Sequence, residues 1–445
     1  MSKYKIENAW ICKIKGENVL PVFGDLEIID EKISKIKRKS FSSYLKTPQD
    51  KSNRKNVYDA KGSVLTIPLV NFHEHFYSRL AKGLEIKGET DSFISILENL
   101  WWKLDRALTL DAVRFSAEMG VLESIKNGVT YIFDHHASPS YVKGSLAVIS
   151  RILEKYKVRG VLAFEISDRN GDKITDASFS ETENFYSEFS NSNIQAMLGL
   201  HASFTVSDNT LKRAKELSEQ TGLPIHIHLC EDKADRTESK KNYGNFPAQR
   251  LAKFGLLNDK TILAHGIHLN KKEYETISKY NSAIALNPDS NLNNAVGLPN
   301  FNLIKNITLL SGTDGMHANL LRTLKNIFLL SRHSGLSFDE SFELITKMFF
   351  GQLEFVKKYF PDFTGLSEGE RADFVIWDYV PPTPINKNNF FGHYLYGIAE
   401  RSPKSVFQGG KPLMIDKILV NIDEEEINKS IFNQGKKLAR KFSKM

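Results

Sequence analysis

The chain has few cysteines and no long hydrophobic run. Only Cys12 and Cys230 occur in 445 residues, which is too few for a disulfide framework or a cysteine-rich zinc site. No apolar run is long enough to span a bilayer, and the first residues lead into a strand pattern rather than a secretory signal. We therefore expect a cytoplasmic protein without a membrane segment, in which histidine and carboxylate side chains would have to hold any metal ion.

Neither sign of charge dominates the composition. Sixty basic residues stand against 53 acidic ones, which gives a net charge of +7. The basic stretches at 32–61 and 436–441 are not interleaved with aromatic residues, as a surface that stacks nucleic-acid bases would be. A solvated lysine-rich surface explains them better, and we expect no nucleic-acid partner. The 41% hydrophobic and 25% charged content is typical of a globular protein.

From residue 64 onward, short apolar runs alternate with helix-like segments such as 110–125 and 208–220. This alternation predicts an α/β fold, a (β/α)₈ TIM barrel. An open, doubly wound sheet is the alternative. The barrel is favoured because most runs end in side chains that can bind a metal ion or take part in catalysis, and a barrel brings the strand ends together on one face. The eight predicted strands are 64–72, 128–134, 159–165, 194–200, 223–229, 261–264, 282–286 and 307–312.

Both chain ends carry further strand patterns. At the amino end these are 4–12 and 26–36, with Gly24-Asp25 between them and a polar insert around 48–55 after them. Beyond residue 367, patterns at 374–378 and 405–412 predict that the chain rejoins the amino-terminal strands. From residue 423, acidic residues precede basic ones, as in a solvated helix. We therefore predict a small β-sandwich domain from 1–63 and 367–422, a barrel at 64–366 and a terminal helix at 423–445.

The ends of the predicted strands supply a set of metal ligands. Alternation along a strand points His73 and His75 the same way, so that both can bind one ion, and points Glu74 away. His228 ends the fifth strand and Asp314 follows the eighth. These four residues predict a mononuclear site for one divalent metal, with zinc expected and iron or manganese open. His226 would overcrowd a four- or five-coordinate site, so we expect it in a lower layer of the barrel.

Three side chains near these ligands are candidates for proton transfer. Glu231 lies three residues after His228 and could carry a proton to a departing nitrogen. Asp314 could accept the proton of the attacking water, and His265 could orient that water or the leaving group. His201 ends the fourth strand where a two-metal site bridged by a carbamate would need lysine, which favours a single metal. His268 is expected to be a loop histidine outside the site.

Substrate contacts are less well defined by the pattern. Our candidates are His201, Trp101, Trp102, His135 and Asn287. The segment 78–109 holds the two tryptophans and could cover the barrel mouth, but an apolar contact between two subunits explains it equally well. Of the neighbours His135 and His136, at least one is expected to be structural. The stretch 287–292 could shape the pocket floor or be a plain turn.

The strand-end motifs resemble those of the amidohydrolase superfamily, in the branch of guanine, cytosine and S-adenosylhomocysteine deaminases and triazine chlorohydrolases. Two further motifs, 100–105 and 134–139, bring the chain closer to the aminohydrolases called SsnA. The motifs that carry the resemblance are His73-Glu74-His75, His228-Leu229-Cys230-Glu231, Ala264-His265-Gly266-Ile267-His268, Asn287-Pro288-Asp289-Ser290-Asn291 and Gly312-Thr313-Asp314-Gly315.

This resemblance implies the same four metal ligands, with Glu231 as proton shuttle and His201 as a substrate contact. It also implies hydrolytic deamination of an amino-substituted N-heterocycle, a purine, pyrimidine or related ring, with release of ammonia. Hydrolysis of a cyclic amide or of a carbon–halogen bond is the alternative. A non-catalytic scaffold would predict damaged ligand positions, yet all of them are intact. A small heterocyclic substrate and assembly into a homodimer complete the expectations.

Overall fold

We describe the fold from a computed structural model, which covers residues 3–46 and 54–445. The predicted polar insert lies outside the described residues except for its last two, Arg54 and Lys55. In the described part of the chain, no helix has the length and apolar character needed to cross a membrane.

Eight parallel strands, paired in sequential order, form the predicted barrel. Because each pairs with its neighbour in the chain, the carboxyl ends of all eight lie on one face. The order and parallel pairing confirm the barrel over the open doubly wound sheet. The strands are β6 (Leu69–Glu74), β7 (Val129–His136), β8 (Arg159–Ile166), β9 (Ile194–Ala202), β10 (Ile225–Leu229), β11 (Ile262–His265), β12 (Ala283–Leu286) and β13 (Thr308–Ser311).

Helices connect successive barrel strands. The predicted helices at 110–125 and 208–220 are present as Leu110–Lys126 and Asp208–Thr221. The second begins where the Ser207 side chain accepts a hydrogen bond from the Thr210 amide, and ends at Gly222 with a φ of 75°, which are the usual start and stop signals. The other α-helices outside the second sheet are Phe93–Ile96, Trp102–Ala107, Ser145–Tyr156, Asp172–Glu188, Lys233–Tyr243, Pro247–Lys253, Lys271–Lys279, Pro288–Asn293, Leu320–His333, Phe338–Lys357 and Glu424–Phe442.

A second sheet is built from both chain ends, as predicted for the β domain. Its nine strands form one mixed hydrogen-bonded sheet. The carboxy-terminal strand Phe374–Trp377 pairs with the amino-terminal strand Val64–Thr66, so the chain does rejoin its own beginning. The strands are β1 (Lys3–Ile14), β2 (Val19–Ile29), β3 (Lys32–Arg38), β4 (Val57–Asp59), β5 (Val64–Thr66), β14 (Phe374–Trp377), β15 (Pro403–Gln408), β16 (Lys411–Ile415) and β17 (Ile418–Leu419). The short helices Phe41–Lys46 and Phe390–Tyr396 flank these strands in sequence.

Two of the predicted strands were wrong in their extent. The run 64–72 is not one strand but two, β5 and β6, which belong to different sheets. Pro68 separates them, since it lacks an N–H for a sheet ladder. The pattern 26–36 is likewise the end of β2, a turn and β3. Asp30 has a φ of 54°, a left-handed turn conformation, and Gly24-Asp25, expected between two strands, lies inside β2.

Contacts divide the described chain into two compact units. One comprises residues up to 70 together with 124–130 and 356–422. The other comprises 71–123, 131–355 and 423–445. The terminal helix therefore belongs to the barrel unit, where Lys103 lies 5.5 Å from the ring centre of Phe442.

The first and last barrel strands meet at two of the predicted metal ligands, His73 and Asp314. The amides of Thr313 and Asp314 both donate to the His73 carbonyl oxygen, at 3.0 Å each. Glu74 points away from His73 and His75, as predicted, and is fully buried. It accepts hydrogen bonds from Thr313 Oγ1 at 2.9 Å and Arg79 Nη2 at 2.5 Å. This buried carboxylate links the first strand to a residue just after the last one, and removal of its charged partner would leave buried charge uncompensated beside the site.

Gly312 allows the close approach at this closure. A Cβ atom at this position would lie 2.3 Å from Asn287 Oδ1 and 2.7 Å from His73 Cβ. We expect Gly312→Ala to lower the free energy of unfolding by about 1–3 kcal/mol, because the backbone must shift to relieve the overlap. The same shift should displace His73 and weaken metal binding. Chemical denaturation and metal content per chain measure the two effects.

Gly435→Ala is the matched control. Gly435 lies inside the terminal helix, and a Cβ there meets no described atom within 4 Å. Alanine should stabilise this helix by up to about 1 kcal/mol without changing metal content. A Gly312→Ala protein with the stability and metal content of the parent would show that the closure does not constrain the site.

Candidate metal centre and active site

Three imidazoles converge at the carboxyl ends of the barrel strands, and hydrogen bonds fix their orientation. His75 Nδ1 lies 2.6 Å from the His135 carbonyl oxygen, and His228 Nδ1 lies 2.8 Å from the His201 carbonyl oxygen. A carbonyl oxygen only accepts, so each Nδ1 carries a hydrogen, and in the neutral ring each Nε2 keeps a lone pair. These two Nε2 atoms lie 3.1 Å apart. Two facing lone pairs at this separation are suited to sharing a cation.

His73 completes the histidine set from the buried side. Its Nδ1 lies 2.9 Å from His226 Nε2, while its Nε2 has no hydrogen-bond partner among the described residues. The possible ligand atoms of His73, His75 and His228 all lie within 4.8 Å of one another. A buried nitrogen without a hydrogen-bond partner is costly unless it binds something, and a cation would satisfy it.

Asp314 supplies the negative charge. Its Oδ1 lies 3.0 Å from His75 Nε2 and 3.7 Å from His73 Nε2. Its φ of 52° places it in the left-handed region, as does the φ of 74° at His265. Such conformations are uncommon for residues other than glycine and often occur at functional sites.

Protonation at the site follows from burial and from Asp314. Burial and the neighbouring histidines hold the pKa of His73 well below its usual range and lower the pKa of His228 to about 4. Burial alone would also lower the pKa of His75, but the hydrogen bond to Asp314 raises it to about 9. Burial would raise the pKa of Asp314, yet His75 keeps it well below its usual range. A divalent cation would displace the proton that His75 shares with Asp314, and the three imidazoles and the ionised carboxylate would then form a donor set that fits this cation.

Glu231 and His265 lie beside this donor set. Glu231 Oε2 is 3.5 Å from His265 Nε2, and Asn294 Nδ2 donates to Glu231 Oε1 at 3.2 Å. His265 Nε2 lies 3.9 Å from Asp314 Oδ2, and its Nδ1 lies 2.8 Å from Asn291 Oδ1. Burial raises the pKa of Glu231, although His265 opposes the shift. This carboxyl group is therefore able to hold a proton at a higher pH than an exposed glutamate.

His226 supports the centre from a lower layer of the barrel, where the sequence placed it. It is 1% exposed and its contact with His73 fixes the orientation of that ring. We expect His226→Ala to weaken metal affinity by about 10–100-fold, the usual cost of losing a partner that orients a ligand. A competition titration with a chromophoric chelator measures this change.

His268→Ala is the control for loss of one imidazole. His268 Nε2 bonds the Val296 carbonyl oxygen at 2.7 Å, and His268 is not among the residues that line the cleft, in line with its predicted place outside the site. Metal affinity should not change. Equal losses in the two variants would contradict the supporting role of His226.

A cleft opens over the metal centre, with about 750 Å³ of space including the part open to solvent. Six residues from the segment 78–109 line it, which favours the interpretation of this segment as a cover. Trp101 ends a π-helical turn, Leu97–Trp101, within the helical stretch 93–107, and such turns occur often at functional sites. The cleft-lining residues of this segment are Ser78, Phe93, Leu97, Trp101, Trp102 and Asp105.

The predicted substrate contacts divide into two groups. Trp101, Trp102 and His201 line the cleft, and His201 Nδ1 lies 2.7 Å from Thr205 Oγ1. His135 and Asn287 do not line it and are at most 1% exposed. His135 Nε2 lies 3.1 Å from the Leu200 carbonyl oxygen, and Asn287 Nδ2 donates to the Ala285 carbonyl oxygen at 3.2 Å. Their positions support a structural role instead of substrate contact.

The structure also places a charged network in the cleft wall that the sequence analysis missed. Arg169 Nη1 contacts Glu165 Oε1, and Arg169 Nη2 contacts Asp105 Oδ2, each at 2.6 Å. The possible ligand atoms of His135, Glu165 and His228 also lie within 4.8 Å of one another. Glu165 lies near the end of a barrel strand, which was the signal that could have identified it.

A family model described as "Amidohydrolase family" matches residues 64–413. Because this match spans most of the chain, the protein belongs to the amidohydrolase family. Membership confirms the predicted family and its hydrolase class.

Curated relatives resemble the chain over most of its length. It is 27% identical over 420 residues to a "5-methylthioadenosine/S-adenosylhomocysteine deaminase" of Thermococcus sibiricus, with 92% of this chain and 93% of that protein covered. It is 30% identical over 397 residues to a "5'-deoxyadenosine deaminase" of Methanococcus aeolicus, with 84% and 88% covered. These relatives agree with the deaminase branch that the motifs indicated.

Solved structures share the fold. An adenosine deaminase from Xanthomonas campestris with bound zinc matches with a TM-score of 0.82 at 18% identity, over 98% of each chain. An atrazine chlorohydrolase from Arthrobacter aurescens TC1 complexed with zinc matches with a TM-score of 0.77 at 19% identity, over 97% of this chain and 100% of that one. At this identity the similarity confirms the fold, the predicted barrel with its added β domain.

Proposed function

We propose that this protein is a metal-dependent aminohydrolase, which deaminates an amino-substituted N-heterocycle with water and releases ammonia. One observation carries the proposal: His73, His75, His228 and Asp314 converge beside Glu231 at a cleft with aromatic side chains in its wall. The names of the relatives support adenosine-type nucleosides as the first substrates to test, ahead of pyrimidines and other N-heterocycles. We further propose zinc as the metal, since histidine nitrogen and carboxylate oxygen are ligands that zinc accepts.

The four ligand residues would hold the ion, and a bound divalent cation would supply a Lewis acid that lowers the pKa of water. Asp314 Oδ2 lies 3.9 Å from His265 Nε2. Asp314 would accept a proton from the attacking water, and His265 would orient that water. Glu231 would deliver its proton to the ring nitrogen, then take the proton of the added hydroxyl and pass it to the departing amino nitrogen. The proton accepted by Asp314 would return to Glu231 and complete the cycle. Its raised pKa suits this exchange.

Aromatic side chains would hold the ring and exclude water. Trp101, Trp102 and Phe93 lie in the cleft wall, where a flat heterocycle can stack on their faces. His201 would hydrogen-bond the substrate through Nε2, because Thr205 occupies its Nδ1.

Cytoplasmic location and a homodimer remain predictions from the sequence. Sedimentation of the purified protein tests the latter.

The test is ammonia release from a panel of aminopurine nucleosides, free aminopurines, aminopyrimidines and aminotriazines, using protein of known metal content. We expect release from at least one ring class, and loss of that release after chelation. Chloride release from chlorotriazines, or opening of cyclic amides without ammonia, would support the alternative hydrolysis instead. If fully metal-loaded protein converts none of these compounds, the result would contradict the proposed function.

A further inference from the structure

The cleft is acidic although the whole chain carries a net charge of +7. Glu231 and Asp314 belong to the metal centre. Asp235 is committed to the fold, since it accepts hydrogen bonds from the amides of Phe204 and Cys230. The remaining charged wall consists of three carboxylates and one guanidinium, namely Asp105, Glu165, Asp232 and Arg169.

Arg169 is not a free cation in this wall. It bridges Glu165 and Asp105 through two 2.6 Å contacts, and its guanidinium lies 5.4 Å from the ring centre of Trp102. Its side chain is 11% exposed. Two carboxylates therefore compensate its single charge, and an anionic ligand that approached Arg169 would meet both of them.

Asp105 has an acceptor atom that the protein does not use. Its Oδ1 is buried and finds no hydrogen-bond partner within the described part of the chain, and the residue is 1% exposed. Asp105 nevertheless lines the cleft. A buried acceptor of this kind is costly unless a donor reaches it, and a substrate in the cleft is placed to provide one.

The titration behaviour of the wall agrees with this geometry. Burial would raise the pKa of Glu165, but Arg169 outweighs it and lowers that pKa to about 2. Burial raises the pKa of Asp105 to about 7 despite Arg169. Glu165 therefore balances Arg169 throughout the neutral range. Asp105 is half ionised near pH 7 and carries a full negative charge above it, and Asp232 adds a further carboxyl group to the cleft.

We infer that this wall selects the substrate by charge: it prefers a heterocycle whose substituent is a hydrogen-bond donor, most of all a protonated amine, and rejects one with an anionic substituent. The inference rests on the proposed function, because it concerns the substrate of that same cleft. A donor on the substituent satisfies Asp105 Oδ1, and a positive charge gains attraction from the excess carboxylates. A phosphate or carboxylate would lose its water and face like charge.

Three compounds that share the adenosine framework and differ in the charge of the 5' substituent test the charge selection: 5'-amino-5'-deoxyadenosine, adenosine and adenosine 5'-monophosphate. We expect kcat/KM for the ammonium compound to exceed that for adenosine by at least about tenfold, and adenosine to exceed the monophosphate by a similar factor. Binding of the same compounds, followed through tryptophan fluorescence, should give the same order. Equal values, or a preference for the phosphate, would overturn the inference.

Two variants locate the effect in the wall. Asp105→Asn keeps the shape and removes one carboxylate, so the ammonium preference should fall by at least about fivefold. Asp232→Asn removes another carboxylate while asparagine still caps the helix Lys233–Tyr243, and it should lower the preference in the same direction. Asp176→Asn, at an exposed carboxylate paired with Arg213, is the control. An unchanged preference in both wall variants would also overturn the inference.

The readouts separate this inference from the proposed function. Ammonia release without the expected order of the three compounds would be consistent with the proposed deaminase function and would overturn the inference about charge. The expected order in binding, with no ammonia released, would support selection by charge and would count against deamination of this ring. If none of the three compounds binds to metal-loaded protein, the inference is overturned, whatever the panel of other rings shows.

Discussion

Glu231→Gln is expected to reduce kcat for ammonia release by about 10²–10⁴-fold, the contribution of a positioned proton-transfer group. Glutamine keeps the shape of the side chain and its hydrogen bond with Asn294, but it cannot take up and release a proton. Metal content should stay at the parent value, since Glu231 is not among the clustered ligand atoms. Steady-state kinetics on protein of measured metal content provides the comparison.

Glu238→Gln is the matched control for this substitution. Glu238 lies on the neighbouring helix Lys233–Tyr243, and its side chain is 40% exposed beside Lys241. It should retain the parent rate. Full activity in Glu231→Gln would remove Glu231 from the mechanism, and a parallel loss of metal would make it a ligand instead of a proton shuttle.

His228→Ala is expected to remove both the metal and the activity. The substitution deletes the Nε2 atom that faces His75 Nε2 at 3.1 Å. Loss of a residue that only orients a ligand lowers metal affinity by up to about 100-fold. We expect a larger decrease in the affinity for zinc here, because a ligand itself is lost. Turnover at limiting zinc should fall at least as far. Metal analysis after gel filtration, together with the ammonia assay, measures both.

His333→Ala tests whether any histidine loss has this effect. His333 ends the helix Leu320–His333 and is exposed, so metal content and rate should match the parent. Excess zinc should restore part of the activity of His228→Ala if the remaining ligands still form a weak site. A His228→Ala protein that keeps one tightly bound zinc would show that the centre lies elsewhere.

The sequence predicted the barrel and the metal ligands for the same physical reason. Parallel strands place their carboxyl ends on one face, so reactive residues at strand ends must converge. His73, His75, His228 and Asp314 follow this rule. The structure brings their ligand atoms together in two overlapping groups that share His73: one adds His75 and His228, and the other adds Asp314 together with His265.

What the pattern could not predict depends on partners far away in the chain. The apolar run 64–72 is continuous in sequence, yet its halves pair in different sheets. The contact of Arg169 with Asp105 joins residues 64 positions apart, and no local periodicity encodes it. Likewise His135 stands at a strand end and looked like a substrate contact. Its ring instead lies 3.1 Å and 3.2 Å from two backbone carbonyl oxygens, acceptors that a sequence pattern does not display.

Titration of the metal-free protein with zinc, while ammonia release is recorded, tests the central claim most directly. One ion at His73, His75, His228 and Asp314 should make the rate rise linearly and then level off at one zinc per chain. Ammonia release that is independent of zinc, or that requires two equivalents, would contradict a single metal centre as the site of deamination.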